Sequence, residues 1–386
     1  MDFDANLLLA GDIGGTKTNL LVFALDAGPR APLAEATLNS GAYPGLDALV
    51  GDFLEQAGLG GGRESGHGSR EGGYGSSRES GREGGTSNRE SSRSGPPDGF
   101  LAACFGVAGP VIAGRSKTTN LPWVIDAAEL GEALNCPAVT LLNDLEALAH
   151  AVPFLGSDDL TVLNQGSGEP QGPLAVIAPG TGLGEAYLTW QSGRYQAHAS
   201  EGGHADFGPT NDLELALLDY LLARVSHVSY ERVCSGRGIP NLYTFLRDTG
   251  RAVEPAWLAQ ALGAAEDPTP VIMNAALGLD GSRTCALCVQ TLDLFVDILG
   301  AEAGNLALKV VSTGGVYLGG GIPAHIAPAL DGARFMAAFQ NKGRMNGLLA
   351  GMPVHLIHNP KAGLLGAAFF AAQGHTPTPL RAAAVS

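Results

Sequence analysis

The stretch Leu7-Leu-Leu-Ala-Gly-Asp12-Ile-Gly14-Gly15-Thr16-Lys17-Thr-Asn-Leu-Leu-Val-Phe23 decides the fold class. Apolar runs flank a turn of Gly, Asp and Thr, which reads as a β-hairpin with little side-chain bulk at its tip. Successive backbone N–H groups in such a turn form an anion-binding concavity. Asp12 sets a carboxylate beside it, where a Mg²⁺ can sit. The stretch reads either as a phosphate loop for a nucleoside triphosphate or as a plain glycine-rich turn. Two other glycine signatures do not fit. A Walker A loop opens a helix, whereas Lys17 here leads into a strand. A Rossmann fingerprint also needs a helix after its glycines.

A chain of 386 residues with 45% hydrophobic content suggests two domains with sizeable cores. The net charge of −15 argues against a nucleic-acid binder. No apolar run reaches the length of a membrane span. The acidic start Met1-Asp-Phe-Asp lacks signal-peptide character, which fits a cytoplasmic protein with reduced thiols. Cys285 and Cys288 form a C-x-x-C without a second ligand pair, and the helical rhythm around them reads as two buried thiols.

Residues from about Gly60 to Gly95 are almost entirely Gly, Ser, Arg and Glu. With six Arg and five Glu, that segment is near neutral. It cannot bury apolar surface, so 61–94 is expected to be a disordered insertion. A helix is expected near Gly45–Ala57, and strands near Phe100–Pro110 and Ala138–Leu142. A second strand–turn–strand unit follows, with Leu174–Ala178, the turn Gly180-Thr181-Gly182-Leu-Gly184, and Glu185–Trp190. A third glycine cluster, Gly314-Gly315 and Gly319-Gly320-Gly321, precedes a helix opening near Pro323. Glycines there allow a flat or phosphorylated ligand close to the chain, and a helix N-terminus favours negative charge. The recurrence points to two related α/β domains flanking a cleft.

Asn143-Asp144 stands where a buried strand ends and a helix begins. Asp144 reads as a general base or as a helix N-cap. Glu201-Gly-Gly-His204 brings a carboxylate and an imidazole onto one loop, a pair suited to a polyol, although a polar surface loop reads equally well. Metal binding there is weaker, because no further His or Cys follows. Glu231 reads as a ligand group or as a first-turn helix residue. Asn120-Leu-Pro-Trp123 adds an amide and an aromatic, with Trp123 read as packing.

In order and spacing these residues resemble the bacterial-type glucokinase family, within the sugar kinase, actin and Hsp70 group of ATPases. The resemblance runs over nearly the whole chain. It implies two ribonuclease-H-like, actin-like ATPase domains, 1–154 plus 358–386 and 155–357. It implies ATP-dependent phosphorylation of glucose, with Mg²⁺ as cofactor and Asp144 as catalytic base. Asn120, Asn143, Glu201, His204 and Glu231 match the sugar ligands. Gly11, Asp12, Ile13, Gly14, Gly15 and Thr16 match the first phosphate loop, with Asp12 near the metal. Gly180, Thr181 and Gly182 match the second phosphate loop, and Gly314, Gly315, Gly319 and Gly320 the adenosine segment. The family also implies a homodimer and no nucleic-acid or membrane partner. The Arg-Glu segment departs from the family pattern. No cysteine cluster follows His204, which points away from the related ROK group, and there is no room before the first strand for a helix-turn-helix. A kinase for another hexose and a non-catalytic actin-like nucleotide-binding protein are the alternatives. A dinucleotide oxidoreductase is disfavoured for want of a glycine cluster in a strand–helix unit.

Overall fold

The computed structural model describes residues 6–60, 99–118, 121–281 and 283–375. The expected insertion 61–94 and the candidate ligand Asn120 lie outside the described residues. The chain forms a mixed α/β fold that divides into two compact units, Met1–Leu142 and Asn143–Ser386.

The first unit contains β1 (Leu7–Ile13), β2 (Lys17–Ala24), β3 (Ala34–Asn39), β4 (Ala102–Val107), β5 (Val111–Ile112), β6 (Arg115–Lys117), β7 (Val124–Asp126) and β8 (Val139–Asn143). Five of them form a sheet in the order β3-β2-β1-β4-β8. β1 and β2 pair antiparallel from Leu7 opposite Ala24 to Ile13 opposite Thr18, so the opening stretch is the hairpin its pattern calls for. β1 runs parallel to β4. Leu7 to Ala10 are all buried, as in a sheet covered on both faces. The helix Leu46–Gln56 turns Leu46, Leu49, Val50, Phe53 and Leu54 inward at helical spacing. They pack with Leu9, Leu20, Val22 and Phe105 from the sheet. The strands β5, β6 and β7 form a small antiparallel sheet. Trp123 is buried and its Nε1 donates to the Tyr43 carbonyl at 3.2 Å, so it is a packing residue.

The second unit contains β9 (Leu160–Asn164), β10 (Leu174–Pro179), β11 (Leu183–Gln191), β12 (Arg194–Ser200), β13 (Gly315–Leu318) and β14 (Val354–Ile357). Their order is β12-β11-β10-β13-β14-β9. β10 pairs antiparallel with β11 and parallel with β13, and β11 pairs antiparallel with β12. This repeats the pattern of the first sheet, with β10, β11 and β13 in the places of β1, β2 and β4. The 25-residue helix Ala286–Val310 carries much of the core. Cys285 and Cys288, at its start, are both buried thiols. The last described helix, Ala362–Gln373, packs on the helix Asp144–Ala151. There a Cβ on Gly366 would overlap the Ala147 carbonyl, so the two backbones touch. Phe369 stacks on Phe154 with ring centroids 4.1 Å apart. No described helix is long and apolar enough to cross a membrane.

Candidate active site

The tip of the first hairpin is held rather than floppy. The Gly14 N–H donates to the Lys17 carbonyl at 3.0 Å, and a Cβ on Gly14 would lie 2.8 Å from that oxygen. Ser40 braces the turn from the side. Its Oγ donates to the Gly14 carbonyl at 2.9 Å, and its N–H donates to the Thr16 carbonyl at 3.0 Å. Thr18 Oγ1 and Ser40 Oγ are also hydrogen-bonded, at 3.0 Å. Gly15 and Thr16 stay accessible at the tip, whereas Ile13 is buried core. Gly11 has a packing role, because a Cβ there would meet the Phe105 ring at 2.5 Å. Asp12 is half-buried and accepts from Asn19 Nδ2 at 3.5 Å.

In the second unit, Asn143 and Asp144 divide the work of a helix start. Asn143 is the N-cap, its Oδ1 accepting the Leu145 N–H at 2.9 Å. Asp144 is the first helical residue, and its Oδ1 also accepts that N–H at 2.9 Å. Because Asn143 supplies the cap, Asp144 is not required for it. The Asp144 side chain touches solvent, yet protein surrounds it closely enough that desolvation raises its pKa above the ordinary 3.8. The Leu145 N–H and the Asn143 side chain pull the other way. These opposed effects leave a carboxylate more basic than a free one.

Four candidate groups converge on three residues, Leu183 to Glu185. The Leu145 side chain packs on Gly184, where a Cβ would meet it at 2.9 Å, so the Asp144 helix starts against β11. Glu231 Oε2 accepts the Leu183 N–H at 3.1 Å and crowds Gly182. Gly203 packs on the Leu183 carbonyl, and Gly202 on the Glu185 carboxyl, so closely that a Cβ on either would overlap them. The two glycines therefore serve close packing rather than flexibility. They form a single 3₁₀ turn, Gly202–His204, that presents Glu201 and His204 to solvent. Their side chains lie 3.8 Å apart, Glu201 Oε2 to His204 Nε2. Tyr230, next to Glu231, donates its N–H to the Ala205 carbonyl at 3.0 Å and so ties the two segments together.

A cavity of about 670 Å³ opens beside the Gly180–Gly182 turn. Gly180, Thr181, Gly321 and Ile322 line it, together with Arg237, Thr269, Met273 and His325. The last four come from helices and loops that no motif marks. Thr269 Oγ1 is fixed on the Gly236 carbonyl at 2.8 Å, and His325 Nε2 on Asn274 Oδ1 at 3.0 Å. Gly320 sits at φ +86° against the Pro179 carbonyl, where a side chain would be both strained and crowded. Gly314 and Gly315 lie at the opposite end of β13 from Gly319 and Gly320, and none of these four glycines lines the cavity. Gly314 packs instead on the Gly172 carbonyl. A hollow of about 730 Å³ along Ala127–Val139 in the first unit is lined by none of the candidate residues.

The glucokinase family model matches residues 9–374. The chain is 40% identical over 380 residues to a glucokinase of Trichormus variabilis, spanning 95% of this chain and 99% of that one. Its fold is similar to a glucokinase crystal structure from an Antarctic psychrotroph, with a TM-score of 0.73 and 28% identity over 95% of this chain and 99% of that one. A Balamuthia mandrillaris glucokinase solved with glucose shares the fold at a TM-score of 0.68 and 19% identity, over 95% and 93% of the two chains. By the extent of the family match and the identity across nearly its whole length, this chain belongs to the glucokinase family.

Proposed function

We propose that the chain transfers the γ-phosphoryl group of ATP to the 6-hydroxyl of glucose. The observation that carries this reading is the convergence on Leu183–Glu185. One backbone segment positions the helix of Asp144, the Glu201–His204 turn, Glu231 and the Gly180–Gly182 turn. Phosphoryl transfer asks mainly for positioning and electrostatics, and this is an arrangement that positions. Glu201, His204 and Glu231 accept from and donate to sugar hydroxyls, and Asn143 and Asn120 join them. Asp144 takes the proton of the attacking hydroxyl, a role that its raised basicity favours. Backbone N–H groups of Gly11–Thr16 and Gly180–Gly182 hold the phosphates, with Gly314, Gly315, Gly319 and Gly320 assigned to the adenosine. The repeated strand order supports two ribonuclease-H-like domains, and the bounds we propose for them are 1–154 plus 358–386 and 155–357.

Among the described residues no group of three or more His, Cys, Asp or Glu forms a metal cluster. Mg²⁺ is commonly held by one or two carboxylates plus substrate phosphates, and Asp12 alone fits that pattern. Bound there with the nucleotide, it would neutralise phosphate charge.

A coupled assay with glucose and ATP tests the reading. Turnover with glucose, and its loss in Asp144→Asn, are expected. Absence of turnover with glucose in a folded protein that turns over another hexose would overturn the assigned substrate. Absence of any heat of glucose binding would point to a nucleotide-binding scaffold.

A further inference from the structure

Glu185 projects from β11 into the core of the second unit, with only 1% of its surface exposed. Neither carboxyl oxygen has a hydrogen-bond donor. As an ionised group it would be buried without compensation. The groups that face it come from three elements. Glu302, fully buried on the helix Ala286–Val310, lies close enough for its charge to act on Glu185. Lys309 on the same helix lies 3.5 Å from Glu302 Oε1. Asn305 Nδ2 donates to Glu302 Oε2 at 2.8 Å and to the Tyr230 hydroxyl at 2.9 Å. The buried Cys234 thiol feels both carboxyls, and Lys342 feels Glu302.

A single proton resolves the conflict. Neutral Glu185 needs no counter-charge, and Glu302 stays the partner of Lys309. Two carboxyls buried near one another do not both ionise readily. Desolvation, then the charge of Glu302, push Glu185 up to about 8. This carboxyl is also the surface on which the sugar turn rests. Gly202 packs directly on Glu185 Oε2, and the Gly202 N–H is held by Ser200 Oγ at 3.0 Å. Ser200 is in turn the register partner of Glu185 across β11 and β12.

We propose that Glu185 is a positioning residue: held neutral beside Glu302, it supports the Glu201–His204 turn, and loss of its proton displaces that turn and weakens sugar binding. This rests on the reading of Glu201 and His204 as sugar ligands. The contact leaves no slack, so a second negative charge forces Glu185 or the turn to move.

The test is the KM for glucose and kcat at pH 7 and pH 9, at saturating ATP, for the parent, Glu185→Gln and Glu201→Gln. The glutamine keeps a neutral donor of the same shape at both pH values. In the parent, KM is expected to rise about threefold or more, on the scale of a weakened charge-assisted bond, while kcat changes less. In Glu185→Gln the ratio of its KM at pH 9 to that at pH 7 stays near one. A parent KM that is flat, or a Glu185→Gln protein that keeps the parent's rise, overturns the proposal. Glu201→Gln raises KM at both pH values. If it matches the parent, the reading of the turn as a sugar site is what fails. Should Glu185→Gln not fold, Glu302→Gln removes the second charge and is expected to flatten the profile in the same way, and a retained rise there overturns the proposal.

Discussion

Glu231 Oε2 accepts the Leu183 N–H at 3.1 Å, so one of the proposed sugar-binding side chains also pins the end of the Gly180–Gly182 turn. Substitutions at this position separate the two duties. Glu231→Gln keeps an acceptor for Leu183 and is expected to raise the KM for glucose while leaving that for ATP nearly unchanged. Glu231→Ala strands the N–H and is expected to raise both, by about tenfold for glucose and severalfold for ATP. Steady-state kinetics with each substrate varied in turn check this.

Asp144→Asn is expected to lower kcat by roughly 10²–10⁴, the usual worth of a general base. Its melting temperature should stay close to the parent's, because Asn143 supplies the cap. As the proposed base, Asp144 would work only when ionised, and desolvation raises its pKa above 3.8. Activity should therefore fall as pH drops, with an apparent pKa above the ordinary aspartate value. A kcat–pH profile measures that limb, and the residual activity of Asp144→Asn should lack it.

Gly366→Ala is expected to damage catalysis from a distance. Its Cβ would overlap the Ala147 carbonyl in the middle of the helix that begins with Asp144. Backbone gives little, so a loss of about 1–3 kcal/mol in stability is expected, with a lower kcat. Gly347→Ala meets nothing within 4 Å and is the control, expected to change neither. Thermal melts and kcat for the pair check this.

Glu185 also sets a stability profile. Its pKa rises from 4.5 to about 8 on folding. A raised acid adds stability that is fully present below about pH 4.5 and is lost as pH climbs to about 8. The melting temperature is expected to decline across that window more steeply in the parent than in Glu185→Gln. Scanning calorimetry from pH 5 to 8.5 measures the difference.

Much of the fold was legible because local rules and tertiary structure agree. The hairpin around Gly14, the helix after Asn143 and the strand–turn–strand unit around Gly180 each carry their own signal of apolar period and turn residues. Gly202 and Gly203 were visible, but their reason was not. They look like loop-formers, and only the fold shows that Leu183 and Glu185 lie directly beneath them. Ser40, Arg237, Thr269 and His325 carry no motif, because their roles depend on contacts between residues distant in sequence. Gly314 and Gly315 illustrate the reverse case. A glycine pair beside a glycine triplet suggests one ligand loop, yet three residues of β13, Val316 to Leu318, hold them apart.

The cavity beside Gly180 has one more consequence, for how such a protein can change its donor. The turns that would grip phosphates do so with backbone, and their glycines offer no side chain to vary. Arg237, Thr269, Met273 and His325 face the same cavity from other elements. On the proposed reading, the glycine turns hold the phosphates, while a base in this cavity would meet these four side chains. If that reading holds, a change of purine donor is expected to be selected at those four positions while the glycine turns stay as they are.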